Sequence, residues 1–279
     1  MIRLAGLAVV MTSMAFGGAC AKKAGPAPRR SAGDGAGAAF GPACETIDRS
    51  GGELPELRAA RVAPGAVVLD GSLDDAVWRS AQCSGGFVNP GGGEPAPDSR
   101  VNGAAWVAWD ETNLYLAVRV EDPDPSSPFP ADEVDPHVWE RSSGIELMLQ
   151  PGDPGDNREY YEVQVDVNGA IWSTSFDDYN DPITGDGPAR RFGHEEWQPA
   201  IATGVGVVRD EGWYAIELAL PWSQVRSTRT AVPPRAGDVW RANFYSFRDG
   251  QGDSLAWSPL RGAGNFHRSS RFGRIVFTE

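Results

Sequence analysis

The chain is predicted to be all-β, an antiparallel β-sandwich with one short helix near its start. Three observations support this. Short apolar runs alternate with period two, as strands with one face on a core do. The chain carries 34 glycines and 22 prolines, which favour many turns over long helices. Turn residues recur at short spacing between the runs.

The first element, "MIRLAGLAVVMTSMAFGGAC", has basic Arg3, an apolar stretch from Leu4 to Phe16, and small residues before Cys20. It is too short to act as a stop-transfer helix. It resembles a bacterial lipoprotein signal, which implies that Cys20 is lipidated. The protein is then exported to the cell envelope and meets a membrane only through that anchor. Residues 21–43 are rich in Ala, Gly and Pro and cannot bury enough surface to offset ordering entropy. They read as a tether, assigned to 21–60, with the folded domain at 61–279.

The chain holds three cysteines. With Cys20 lipidated, Cys44 and Cys83 are left to pair in an oxidising compartment or to remain two thiols; a disulfide is the expectation. A formal net charge of −13 argues against nucleic acid, whose binding depends on neutralising phosphates. No lysine follows Lys23, which excludes lysine-based chemistry beyond it.

"AVVLDG" reads as a strand into a turn. "LDDAVWRSAQ" reads as the short helix, with Ser72 as N-cap and Leu73, Val77 and Trp78 on one side. Strands follow at "AAWVAWD", "NLYLAVRVED", "GIELMLQ", "EYYEVQVDVNG", "AIWSTSF", "AIATGVGVV", "GWYAIELALP", "VWRANFYSF" and "RFGRIVF", with hairpin turns at "WDETN" and "VNG". Trp78, Trp213 and Trp240 read as core residues.

The runs "GIELMLQ" and "EYYEVQVDVNG" raise a question. Ile145, Leu147 and Leu149 share one face and Glu146 the other; Tyr161, Val163, Val165 and Val167 share one face, Glu162 and Gln164 the other. If the two runs pair, Glu146 and Gln164 lie on one polar sheet face. A half-buried sheet with a solvated face reads the same way. A sugar site, however, also needs carboxylates and amides for hydroxyls and a flat ring for C–H faces.

The order of "LDGSLDDAVWRSAQ", "AWVAWDETNLYLAVRVEDPD", "VWERSSGIELMLQP", "YYEVQVDVNGAIW", "GWYAIELALPWSQV", "GDVWRANFYSFRD" and "FHRSSRFGRIVF" resembles the family 9 carbohydrate-binding modules over residues 62–279. The resemblance implies a non-catalytic sandwich, within the broader DOMON-like superfamily, that binds a sugar or polysaccharide between two tryptophans. Such modules are often attached to xylan- or cellulose-degrading enzymes. By position it implies Trp139 and Trp257 as the slot tryptophans, with Glu146, Glu162, Gln164 and Arg248 as polar partners. "RSSG" departs from the family's aspartate-bearing pattern. The resemblance also implies nearby structural calcium, for which the loops holding Asp122, Asp124, Asp177 and Asp178 offer oxygen ligands.

The same superfamily includes haem-binding electron-transfer domains. Met148 is the sole methionine after the export segment, but no lysine is left to pair with it and no haem is expected. A third reading is an envelope protein that kept the fold and lost the sugar slot. Carboxylates are plentiful, yet none is marked as a glycosidase pair.

Overall fold

The computed structural model describes residues 44–185, 190–249, 253–262 and 265–279. The export segment, Cys20 and the tether 21–43 lie outside the described residues. The elements are β1 (Glu56–Arg61), α1 (Ala76–Ser80), β2 (Asn102–Trp109), β3 (Asn113–Glu121), α2 (Val138–Arg141), β4 (Ser143–Gln150), β5 (Arg158–Asp166), β6 (Ile171–Asp178), β7 (Ala202–Val208), β8 (Trp213–Pro221), β9 (Val239–Arg248), β10 (Asp253–Ala256) and β11 (Gly273–Thr278).

The strands form one curled sheet in the order β6-β5-β4-β9-β11-β1-β2-β3-β8-β7, with β10 on β9. All pairings are antiparallel except those of β1, which runs parallel to both β11 and β2. The alternating runs explain the curl. Ile145 and Leu147 of β4, Val163 of β5, Leu116 and Val118 of β3, and Ile216 and Leu218 of β8 meet in one buried cluster. Two halves of the sheet therefore face each other, as in a sandwich.

The other face of the β2-β3-β8-β7 half is also buried. Leu73, Trp78, Trp106, Tyr115 and Trp213 form a second cluster there, capped by the segment from Val62 to Cys83. Gly204 and Gly206 of β7 allow this approach. A Cβ on Gly204 would lie 2.3 Å from the Leu69 carbonyl carbon, and one on Gly206 would lie 2.2 Å from the Gly71 oxygen. Glu217 fixes the contact by accepting bonds from Trp78 Nε1 (2.6 Å), Gly71 N (2.6 Å) and Asp70 N (3.1 Å).

Several expectations are corrected. The folded domain starts before residue 61: β1 lies inside the sheet with Leu57 and Ala59 buried, and Cys44 is disulfide-bonded to Cys83 with their Cα atoms 5.9 Å apart. "AVVLDG" forms no strand, because the backbone N–H groups of Asp70 and Gly71 are directed to Glu217. The helix is shorter than the sequence suggests. Leu73 has φ of 54°, the N-cap position is Asp75, and the Asp75 carboxylate accepts from Val68 N rather than capping the helix.

Candidate functional site

The outer face of the β6-β5-β4-β9 half differs from a solvated sheet face. The register sets Trp172, Gln164, Glu146 and Tyr245 across the strands in one row. The next row is Thr174, Glu162, Met148 and Asn243. The period-two alternation that sends valines and leucines inward turns these side chains outward. Yet Glu146, Glu162, Gln164, Thr174, Asn243 and Tyr245 are all buried, because aromatic residues from other segments lie over the face. Phe266 stacks on Tyr245 at 4.1 Å, His267 stacks on Tyr179 at 4.1 Å, and Phe192 stacks on Tyr179 at 4.7 Å.

Three side chains interlock at the centre. The Gln164 amide donates to Glu162 Oε1 at 2.7 Å and to Glu146 Oε2 at 3.2 Å. The remaining oxygens, Glu146 Oε1, Glu162 Oε2 and Gln164 Oε1, find no hydrogen-bond partner among the described residues, and neither does Thr174 Oγ1. A buried polar atom left unpaired costs about 1–3 kcal/mol. Four on two neighbouring rows therefore leave hydrogen-bonding capacity that the described residues do not meet. Burial raises the pKa of both carboxyls, and the Glu162 carboxylate raises that of Glu146 further. His267 Nε2 stands 3.9 Å from Glu162 Oε2. Burial lowers its pKa to about 4, so it is neutral near pH 7.

Trp172 closes one end of the row. It is half-buried, tilted against His137 at 5.8 Å. Trp139, on α2, packs against the same small cluster of Val138, Ala170 and Phe247 as Trp172. Of the residues the sequence singled out, the structure thus brings Glu146, Glu162 and Gln164 together, with Trp139 at the margin of the same face.

Two others do not belong to the face. Trp257 is completely buried in the interior, stacked on Phe244 at 5.0 Å and filling the space over Gly273. It cannot be a slot aromatic. Arg248 is paired with buried Asp122 at 2.6 Å and lies 3.6 Å from Asp124, so its charge is committed. The row partner that sequence reading missed is Trp172. Its alternation with Thr174 and Phe176 was visible, but an aromatic face is ordinarily assigned to the core. Asn243, Tyr245, Phe266 and His267 carried no signal of their own.

The aspartates expected to bind calcium have partners within the protein. Asp122 accepts from Arg248, Ser143 Oγ and Asp124 N. Asp177 faces His194 at 2.9 Å and Asp178 faces Arg158 at 2.7 Å. No group of three or more His, Cys, Asp or Glu able to hold a metal occurs among the described residues. Asp186, in the second of those loops, lies outside them. Met148 is fully buried in a cluster with Tyr160, Phe176, Tyr245 and Phe272, as a packed thioether. Two surface depressions of about 340 and 430 Å³, one beside Asp110 and Glu279, the other beside Trp222 and Pro233, share no residue with the polar face.

A sandwich that turns an aromatic-flanked, hydrogen-bonding sheet face outward defines a binding domain. Residues 69–279 match the family described as carbohydrate family 9 binding domain-like, and the chain belongs to that family. Similar solved structures include a family 9 carbohydrate-binding module from Caldicellulosiruptor kristjanssonii in complex with cellotriose. It is 15% identical, with a TM-score of 0.53 over 80% of this chain and 93% of that chain. The same module in complex with glucose aligns over 80% and 95%. A carbohydrate-binding candidate from Bacteroides uniformis ATCC 8492 is 18% identical, with a TM-score of 0.59 over 81% of this chain and all of that one. At these identities the likeness is one of fold. No curated protein matches the chain.

Proposed function

We propose that the outer face of β6-β5-β4-β9 binds carbohydrate without catalysis, as an envelope-anchored module accessory to breakdown of xylan- or cellulose-type polysaccharide. Trp172 and Trp139 supply the rings, and Glu146, Gln164, Glu162 and Thr174 bond the hydroxyls. One observation carries this reading: four unpartnered polar oxygens, all on side chains at least nine-tenths buried, lie on two adjacent rows that end at a tryptophan and a threonine of β6. A sugar offers the same pairing of hydroxyl donors with apolar C–H faces. Family membership points the same way.

A glycan array followed by isothermal titration of its hits tests it. Trp172→Ala should abolish binding while the circular dichroism spectrum stays that of the native protein. Wild-type affinity in both Trp172→Ala and Trp139→Ala would remove the face from consideration.

A further inference from the structure

The chemistry of the face narrows the ligand. Three of its four unpartnered atoms belong to carboxyl or amide oxygens, so an occupant that donates hydrogen bonds would satisfy them. Two of them belong to carboxyls, and the charged groups that bear on the pair include no guanidinium. The arginines of neighbouring segments are engaged elsewhere. Arg241 pairs with Asp153 at 2.6 Å, Arg248 pairs with Asp122, and Arg268 donates to the carbonyls of Leu260 and Arg261. His267 is neutral. Among the described residues the face is therefore a buried acid pair with no paired cation, which burial keeps neutral by protonation and which an entering positive charge could ionise.

Resting on the carbohydrate reading above, we propose that the site prefers an amino sugar with a free ammonium, held between Glu146 and Glu162, over neutral or N-acylated sugars. Binding is then an exchange. The sugar enters as its ammonium ion, the acid pair gives up the proton it holds, and that proton goes to solvent. The other titratable groups around the pair are Tyr160, Tyr179, Tyr245 and His267, with the Arg190 guanidinium lying over Phe192 and acting on Tyr179. Burial holds the tyrosines above their ordinary pKa and the histidine below. All four stay neutral, so the released proton comes from the pair.

Three β-1,4-linked trimers that differ only at C2 (free amine, hydroxyl or N-acetyl) test this by isothermal titration at pH 7. The amine trimer should bind at least about tenfold tighter than cellotriose, because charge-assisted bonds are roughly twice as strong as neutral ones. The N-acetyl trimer should bind no tighter than cellotriose. Titration in two buffers of different ionisation enthalpy should show proton release with the amine trimer alone. In Glu162→Gln and in Glu146→Gln the amine-to-hydroxyl affinity ratio should fall towards one, with native circular dichroism as the check on folding.

Equal or tighter binding of cellotriose overturns the amino-sugar preference and leaves carbohydrate binding standing. A preference that survives both substitutions is attraction to a chain of net charge −13 and also overturns it. Binding of none of the trimers, and of nothing on the glycan array, overturns both readings.

Discussion

Each half of the sheet buries glutamate on its outer face, Glu217 on one and Glu146 with Glu162 on the other, and Glu217 and Glu146 are treated differently. On the β2-β3-β8-β7 half, the row Trp106, Ala117, Glu217 and Gly204 is small beside its acid. A covering segment presses down there, and two backbone N–H groups and an indole satisfy Glu217. On the other half, the row Trp172, Gln164, Glu146 and Tyr245 surrounds its acid with large polar and aromatic groups. Glu146 receives one bond, from Gln164 at 3.2 Å. Burial raises the pKa of both acids. Burial alone therefore does not identify a functional carboxylate. What distinguishes the two is whether the fold itself supplies the donors.

The largest expected effect comes from uncovering the satisfied side. Trp78→Ala removes a fully buried indole and the shortest side-chain donor to Glu217. It should lower unfolding free energy by about 3–5 kcal/mol in urea titration, the range for large aromatic truncations. Sugar affinity of the molecules that remain folded should not change. A midpoint equal to wild type would mean the segment over this face contributes nothing and the comparison is empty.

Glu217→Ala against Glu146→Gln sharpens the contrast. The first leaves two buried donors, Trp78 Nε1 and Gly71 N, without an acceptor, while Asp70 N keeps the Val68 carbonyl, and should destabilise by about 3 kcal/mol. The second replaces a poorly satisfied buried acid by a neutral isostere and should change stability by less than about 1 kcal/mol, in either direction. Equal losses in denaturant titration would make both glutamates structural and argue against a binding face.

The strand order explains which of these features could be read in advance. The β4 and β5 alternation made Glu146, Glu162 and Gln164 legible as one face, because a period-two pattern fixes side-chain direction wherever its partner face is apolar. Trp257 is not legible as an interior residue because β10, only four residues long, carries too short a strand pattern to fix its side-chain direction. Once β10 is known, Leu255 and Trp257 share the inward parity. β1, "ELRAAR", gave no signal because three of its six residues are charged and only Leu57 and Ala59 face the interior. Arg248 and Asp122 are 126 residues apart, and no local pattern links a cation to a partner brought in by the fold. The unpartnered oxygens depend on which segments cover which face, information that exists only in three dimensions.

The smallest effect separates the two faces by pH. The folded-state pKa of Glu217 is raised, mainly by burial, to about 7 from 4.5. The unfolded chain releases this proton first, so it binds fewer protons than the folded one across that window, and stability falls as pH rises from 4.5 to about 7. The decline should be on the order of 1–2 kcal/mol, after allowing for the relaxation and water penetration that screen buried charge. Glu146 and Glu162 are raised in the same direction and add a decline of the same sign above the ordinary carboxylate range. Urea midpoints across this range should lose the 4.5-to-7 share in Glu217→Gln and keep the remainder. Saturating sugar should do the reverse, because it pairs the oxygens of Glu146 and Glu162 and does not reach Glu217. If sugar leaves the pH profile of the wild-type protein unchanged, the acid pair does not contact it and the bound ligand lies elsewhere on the sandwich.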